Sequence, residues 1–98
     1  MITSKQRSFL RAMANSIDAI FQIGKGGINE NLLKQLDDAL EARELIKVRV
    51  LPNSGLETRE VCRQVAKQLG AEEVQVIGTK FVLYRRSKNN PRIELPSL

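Results

Sequence analysis

Ile17-Asp18-Ala19-Ile20-Phe21-Gln22-Ile23 runs through Gly24-Lys25-Gly26-Gly27 and Ile28 into Asn29-Glu30-Asn31-Leu32-Leu33, and how this stretch is read decides the fold. Its first seven residues are rich in β-formers, which predicts a strand over 17–23. Gly24 stops that strand, and the glycines after it allow a sharp turn. Asn29 is a good N-cap, with Ile28 and Leu33 in the two staple positions around it. Leu32, Leu33, Leu36 and Leu40 then mark the buried face of a helix predicted over 29–42, while Lys34, Gln35, Asp37, Asp38 and Glu41 lie on the wet face. Residues 45–51 alternate: Ile46, Val48 and Val50 face one way, Lys47 and Arg49 the other, as in a strand with one side on a core.

The flanks extend this strand-loop-helix-strand unit. A first helix is predicted over 3–14, with Thr3 and Gln6 at capping-box spacing and Phe9, Leu10 and Met13 as its apolar stripe. Asn15-Ser16 ends it. After the turn Pro52-Asn53-Ser54-Gly55, a third helix runs to Leu69, with Val61, Cys62, Val65, Ala66 and Leu69 on its apolar face. Ser54 and Glu57 have capping-box spacing there, with Thr58 as the other candidate cap, and Gly70 takes the left-handed C-terminal position. Residues 73–77 and 81–85 read as two more strands joined at Gly78-Thr79-Lys80.

The order α-β-α-β-α-β-β predicts a two-layer α/β (α+β) domain with a four-stranded mixed sheet. If both crossovers are ordinary βαβ units, the first three strands run parallel. The glycine loop and the turn at Lys80 then share one end of the sheet, the end where open α/β sheets bind ligands. The 98 residues make one domain, assigned to 1–86. Residues 87–98 are read as a basic, proline-containing tail, expected to fray.

The net charge of +5 is unevenly placed. Residues 1–26 carry Lys5, Arg7, Arg11 and Lys25 against Asp18, a net +3. Residues 79–98 carry Lys80, Arg85, Arg86, Lys88 and Arg92 against Glu94, a net +4, which leaves −2 for the stretch between them. A basic face of this kind suits a polyanion, although solvated surface charge explains it equally well. The glycine loop adds backbone donors, a helix N-terminus and Lys25 at one point, a combination that suits a phosphate. Glu30 at its mouth opposes very tight anion binding. The G-x-x-x-x-G-K-[ST] and G-x-G-x-x-G nucleotide patterns are both missing.

The composition also excludes several classes. With no histidine and one cysteine, the chain has no intrachain disulfide, no Cys/His zinc site and no histidine-based triad. No apolar run approaches a membrane span, and Met1-Ile2-Thr3-Ser4-Lys5 lacks a signal-peptide core, so a cytoplasmic protein is expected. Asp37-Asp38 is a poor acid/base pair, because helix neighbours in sequence do not face each other. Cys62 reads as a buried small hydrophobe. Tyr84 is a candidate for stacking on a base but more often such a residue packs at the sheet.

Four stretches together resemble one family: Leu10-Arg11-Ala12-Met13-Ala14, Ile23-Gly24-Lys25-Gly26-Gly27, Ala39-Leu40-Glu41-Ala42-Arg43-Glu44-Leu45-Ile46-Lys47-Val48, and Gly78-Thr79-Lys80-Phe81-Val82-Leu83-Tyr84-Arg85. The chain is similar to CRM domains (chloroplast RNA splicing and ribosome maturation), in particular the stand-alone bacterial YhbY-like proteins. That resemblance implies the fold of the C-terminal domain of translation initiation factor three, with a KH-like G-x-x-G loop at Gly24, Lys25, Gly26 and Gly27. It implies binding to structured ribosomal RNA and association with precursors of the large ribosomal subunit. One departure is Asn15-Ser16-Ile17-Asp18, where the family runs toward a proline before the first strand.

The combined reading is a non-catalytic, monomeric RNA-binding protein. It predicts no cofactor, metal, small-molecule substrate or membrane partner. The expected contact residues are Gly24, Lys25, Gly26, Gly27, Lys5, Arg7, Arg11, Lys80, Arg85 and Arg86. The alternative is an adaptor that docks an acidic protein through the same basic face. An enzyme built on Lys25 would lack a base, a nucleophile and a metal site.

Overall fold

The computed structural model describes residues 2–97 and contains α1 (Ser4–Ala14), β1 (Ala19–Ile23), α2 (Glu30–Arg43), β2 (Leu45–Val50), a 3-10 turn at Pro52–Ser54, α3 (Thr58–Leu69), β3 (Glu72–Ile77) and β4 (Lys80–Tyr84). The sheet order is β1-β2-β4-β3. β1 and β2 are parallel, while β4 is antiparallel to both β2 and β3. The first three strands therefore point the same way, as expected, with β4 inserted between the second and third. Residues Phe81 to Tyr84 are all buried, the pattern of a strand covered on both faces.

α2 and α3 form the layer on one face. Leu36, Leu40, Val61, Cys62 and Val65 meet Ile23, Ile46, Val48, Val50, Phe81 and Leu83 there. The alternate residues of the sheet point the other way. Leu45, Val74, Val82 and Tyr84 pack under Leu10 and Ala14 of α1, with Met13, Ile17, Ile93 and Leu95 at the margin. Phe9, expected in the α1 stripe, is exposed, and Ala14 takes its place in the buried face.

Local signals hold at most ends. Thr3 and Gln6 form the capping box, Asn29 Oδ1 accepts from Leu32 N–H at 2.8 Å, and Gly70 has φ +64°. The cap of α3 is Glu57, neither Ser54 nor Thr58; its carboxylate accepts from Glu60 N–H at 2.6 Å. Gly55, at φ +78°, separates the 3-10 turn from the helix, so Ser54 Oγ accepts from Leu56 N–H instead. β1 starts at Ala19, two residues later than expected, because Ser16 and Ile17 still donate to Met13 and Ala14 carbonyls.

The segment expected to fray is bound to the body. It has no helix or strand, yet it crosses from the C-terminus of α2 to the N-terminus of α1. Glu44, fully buried, accepts from the amides of Ser87 (2.8 Å), Arg92 (2.7 Å) and Ile93 (2.7 Å). Glu41 accepts from Ser87 Oγ (2.6 Å), Lys88 N–H (3.0 Å) and Asn89 N–H (3.1 Å). Gln6 Nε2 donates to Pro96 O at 3.0 Å, which ties down the far end of the strap. Glu44 sits at φ +67°, the left-handed C-cap where glycine is usual. Among the described residues, no helix is long and apolar enough to cross a membrane.

Candidate nucleic-acid interface

The glycine loop closes as a turn: Gly27 N–H donates to Gly24 O at 2.9 Å, with Lys25 and Gly26 at the apex. The fold accounts for two of its three glycines. A Cβ on Gly24 would stand 3.3 Å from Leu51 Cδ1, and Gly27 has φ +63°. Gly26 has neither constraint, since its φ is not left-handed and a Cβ there would meet only Asn29 Nδ2, at 3.9 Å. Lys25 and Gly26 are both exposed, and Lys25 makes no ion pair among the described residues. The first amides of α2, which follow directly, have no partner within their helix. Glu30, also exposed, lies in that first turn.

Two backbone bonds bring three connections to this end of the sheet. Leu51 N–H donates to Ile23 O at 2.9 Å, and Val50 N–H to Thr79 O at 2.7 Å. Lys80 therefore stands at the same end as the glycine loop, as the parallel reading required. Its cross-strand neighbours are Arg49 and Ile77, and Arg49 in turn lies beside Gln22. One register step away, Lys47 neighbours Val82, which neighbours Gln75. Lys47 and Arg49 thus join Lys80 on the sheet face away from α2 and α3. The alternation of β2 had assigned them to that face, but they were not counted among the contact residues.

The other expected contacts are dispersed. Lys5 lies in the first turn of α1, where Ile2 N–H donates to Glu72 Oε1 at 3.3 Å. Glu72 opens β3 and Ile77 ends it, a separation of about 17 Å at the usual strand rise. Arg7 Nε donates to Glu73 O at 3.2 Å, and Arg11 Nη2 donates to Ser8 Oγ at 3.1 Å. Arg86 is exposed beside Gln6, Tyr84 and the strap, also at the far end.

Arg85 differs most from expectation. Its side chain is 17% exposed, and Nη1 donates to Asp37 Oδ1 (2.6 Å) and Leu69 O (2.9 Å) while Nη2 donates to Asp37 O (3.0 Å). Its guanidinium thus joins α2 to the end of α3, and the charge expected for a phosphate is spent inside the protein. Tyr84 is buried among the α1 contacts, so its ring is not available for stacking.

The titratable groups repeat this division between structural and free charge. The Ser87 hydroxyl and the Lys88 and Asn89 amides hold the Glu41 carboxyl down at about 2. Burial works against the Glu44 carboxylate, but the amides of Ser87, Ile93 and Arg92 outweigh it and keep its pKa below the ordinary value. Burial, aided by the Glu73 carboxylate, pushes the Cys62 thiol up to about 12. Among the described residues no group of three or more His, Cys, Asp or Glu could hold a metal ion.

Residues 2–85 match the CRS1/YhbY (CRM) domain. The chain belongs to this family. Among its relatives is the "Probable RNA-binding protein YqeI" of Bacillus subtilis, 50% identical over 96 residues, which cover 98% of this chain and 100% of that protein. An "RNA-binding protein" of Haemophilus influenzae is 33% identical over 96 residues, covering 97% of this chain and 95% of the relative. The solution structure of SAV1595 from Staphylococcus aureus, itself described as a candidate RNA-binding protein, has the same fold, with a TM-score of 0.81 at 55% identity, covering 98% and 100% of the two chains.

Proposed function

We propose that this chain is a non-catalytic RNA-binding protein that contacts structured ribosomal RNA during assembly of the large ribosomal subunit. The observation that carries this reading is the apex of the glycine loop. Lys25 and Gly26 are exposed and unengaged, and Gly26 is a glycine with neither a left-handed φ nor a crowding neighbour. A glycine at the apex, next to the Lys25 cation and beside a helix N-terminus, lets a phosphate reach backbone amides. Membership of a family whose relatives bear RNA-binding names supports the same reading.

On this reading Gly24, Lys25, Gly26, Gly27 and Lys80 form the primary contact, and Lys5, Arg7, Arg11 and Arg86 act as longer-range positive charge. Arg85 is removed from the set because it is engaged within the protein. The test is binding to a large-subunit ribosomal RNA fragment across a salt series. The log–log slope is expected near −0.7 to −0.9 per neutralised phosphate. Gly26→Asp, which the open surroundings of Gly26 accommodate, is expected to weaken binding with thermal stability retained. A flat salt response, or full affinity in the folded Gly26→Asp protein, refutes the reading.

A further inference from the structure

α1 and the strap cover only half of the sheet face opposite α2 and α3. The row Leu45, Tyr84 and Glu72 lies at the covered end, with Leu45 and Tyr84 beneath Leu10 and near Ile93. Of the two rows nearest the glycine loop, the first is open, and the second is open only at its flanks, its centre being Val82, buried under α1. The first is Gln22, Arg49, Lys80 and Ile77 in cross-strand register; the second contains Lys47, Val82 and Gln75. Four strands at about 4.8 Å spacing make each row about 14 Å wide. Asn15, at the end of α1, closes one side of a shallow groove lined by Lys47, Gln75, Ile77, Lys80 and Val82.

The chemistry of this half-face is specific. Lys47, Arg49 and Lys80 project from it, and none makes an ion pair or side-chain hydrogen bond among the described residues. Among the described residues, Asp18 is the only carboxylate lining the adjoining groove. Ile77 is 60% exposed and Ile20, on neighbouring β1, 49%. Gln22, Gln75 and Asn15 add donors and acceptors between the cations and the apolar groups. An acidic protein segment would use the cations alone. A duplex would present phosphates but keep its base faces stacked inside, which leaves the isoleucines without a partner. An unpaired nucleotide strand uses all three kinds of group: phosphates on the cations, base faces on the isoleucines, and base edges on the amides.

We propose that the open half of the sheet binds an unpaired RNA segment next to the structured element held by the glycine loop. Arg49 and Lys80 lie within two residues of the turns tied to that loop, so one RNA strand passes from one site to the other without a gap. This rests on the RNA-binding reading and adds a second, chemically distinct subsite.

The experiment measures fluorescence anisotropy with a labelled short oligouridine and a blunt-ended RNA duplex, using the intact chain, Lys47→Ala/Arg49→Ala and Gly26→Asp. The double variant is expected to weaken oligouridine binding about tenfold and to reduce its salt slope by about 1.4, two phosphates at about 0.7 each, while duplex binding is unchanged. Gly26→Asp is expected to weaken the duplex. Unchanged oligouridine affinity in the folded double variant overturns the sheet subsite alone, as does an equal loss on both probes or displacement of oligouridine by polyglutamate of matched charge. Failure of the intact chain to bind either probe overturns the RNA reading itself. If the double variant does not fold, amide chemical-shift mapping on the intact chain decides. Shifts at Gln22, Lys47, Gln75 and Ile77 on adding oligouridine support the subsite, and shifts confined to residues 24–31 overturn it.

Discussion

Replacing Glu44 by glutamine tests whether the C-terminal strap is part of the fold or merely lies on it. The Glu44 carboxylate is fully buried and accepts three backbone amides, at 2.7, 2.7 and 2.8 Å. Both short bonds from Arg92 and Ile93 fall on Oε1, and the bond from Ser87 falls on Oε2. A glutamine can offer one oxygen to Arg92 and Ile93, but its NH₂ then faces the Ser87 N–H, donor against donor. The orphaned amide costs about 2 kcal/mol, and the loss of charge from the other two bonds about 0.5 kcal/mol each, so about 3 kcal/mol in all. Relief of the carboxylate's desolvation does not cancel this, because the pKa of Glu44 is lowered: the folded protein prefers the charged form. With a urea m-value of about 1.5 kcal/mol/M, the midpoint falls by about 2 M. Amide hydrogen exchange locates the effect, with protection lost first at Ser87, Arg92 and Ile93. Glu44→Gly is the sharper control. It removes the left-handed strain at φ +67°, worth about 1 kcal/mol, together with all three bonds. A glycine variant with a urea midpoint equal to or above that of the parent refutes the argument.

Other outcomes follow from the same geometry. Arg85→Gln is expected to cost about 2 kcal/mol, because it leaves Asp37 and the Leu69 carbonyl without their charged donor, yet to leave RNA affinity unchanged in the folded protein; urea melts and anisotropy check the two halves. Glu41 has a folded pKa of about 2 against an ordinary 4.5, so its contribution is fully present above 4.5 and lost as pH falls toward 2. Thermal melts across that window are expected to decline, and Glu41→Gln to flatten the decline; a parallel curve in the variant refutes the assignment. Gly27→Ala is expected to cost about 1 kcal/mol at its left-handed φ, whereas Gly26→Ala is near neutral, which differential calorimetry distinguishes. Cys62, buried with its thiol pushed up to about 12, is expected to react with a thiol reagent only as fast as the protein opens; fast labelling of the native state contradicts this.

Much of the fold was legible because its signals are local. The Asn29 cap, the αL glycine at Gly70, the capping box at Thr3 and the split of Ile46, Val48 and Val50 from Lys47 and Arg49 each depend on a few neighbouring residues. The loop of the candidate site was legible for the same reason. The α3 cap was misplaced because Ser54, Glu57 and Thr58 all have capping side chains, and only the left-handed Gly55 decides among them. The strap left one overlooked trace. Glu41 and Glu44 stand at the C-terminal end of α2, where the helix dipole disfavours carboxylates, and such a pair calls for donors from elsewhere.

By itself, then, the amino-acid order determined the sequence of elements, their buried faces except at Phe9 of α1, and the glycine loop between β1 and α2. The position of β4 between β2 and β3, the partners of Arg85, the docking of residues 87–97 and the row Gln22, Arg49, Lys80 and Ile77 were decided by tertiary structure alone. The physical reason is range. Caps and periodicities are set by hydrogen bonds and side chains within a turn or two. Strand order and cross-strand register depend on which distant surfaces bury each other, and those same pairings determine which arginines and lysines remain free for a ligand.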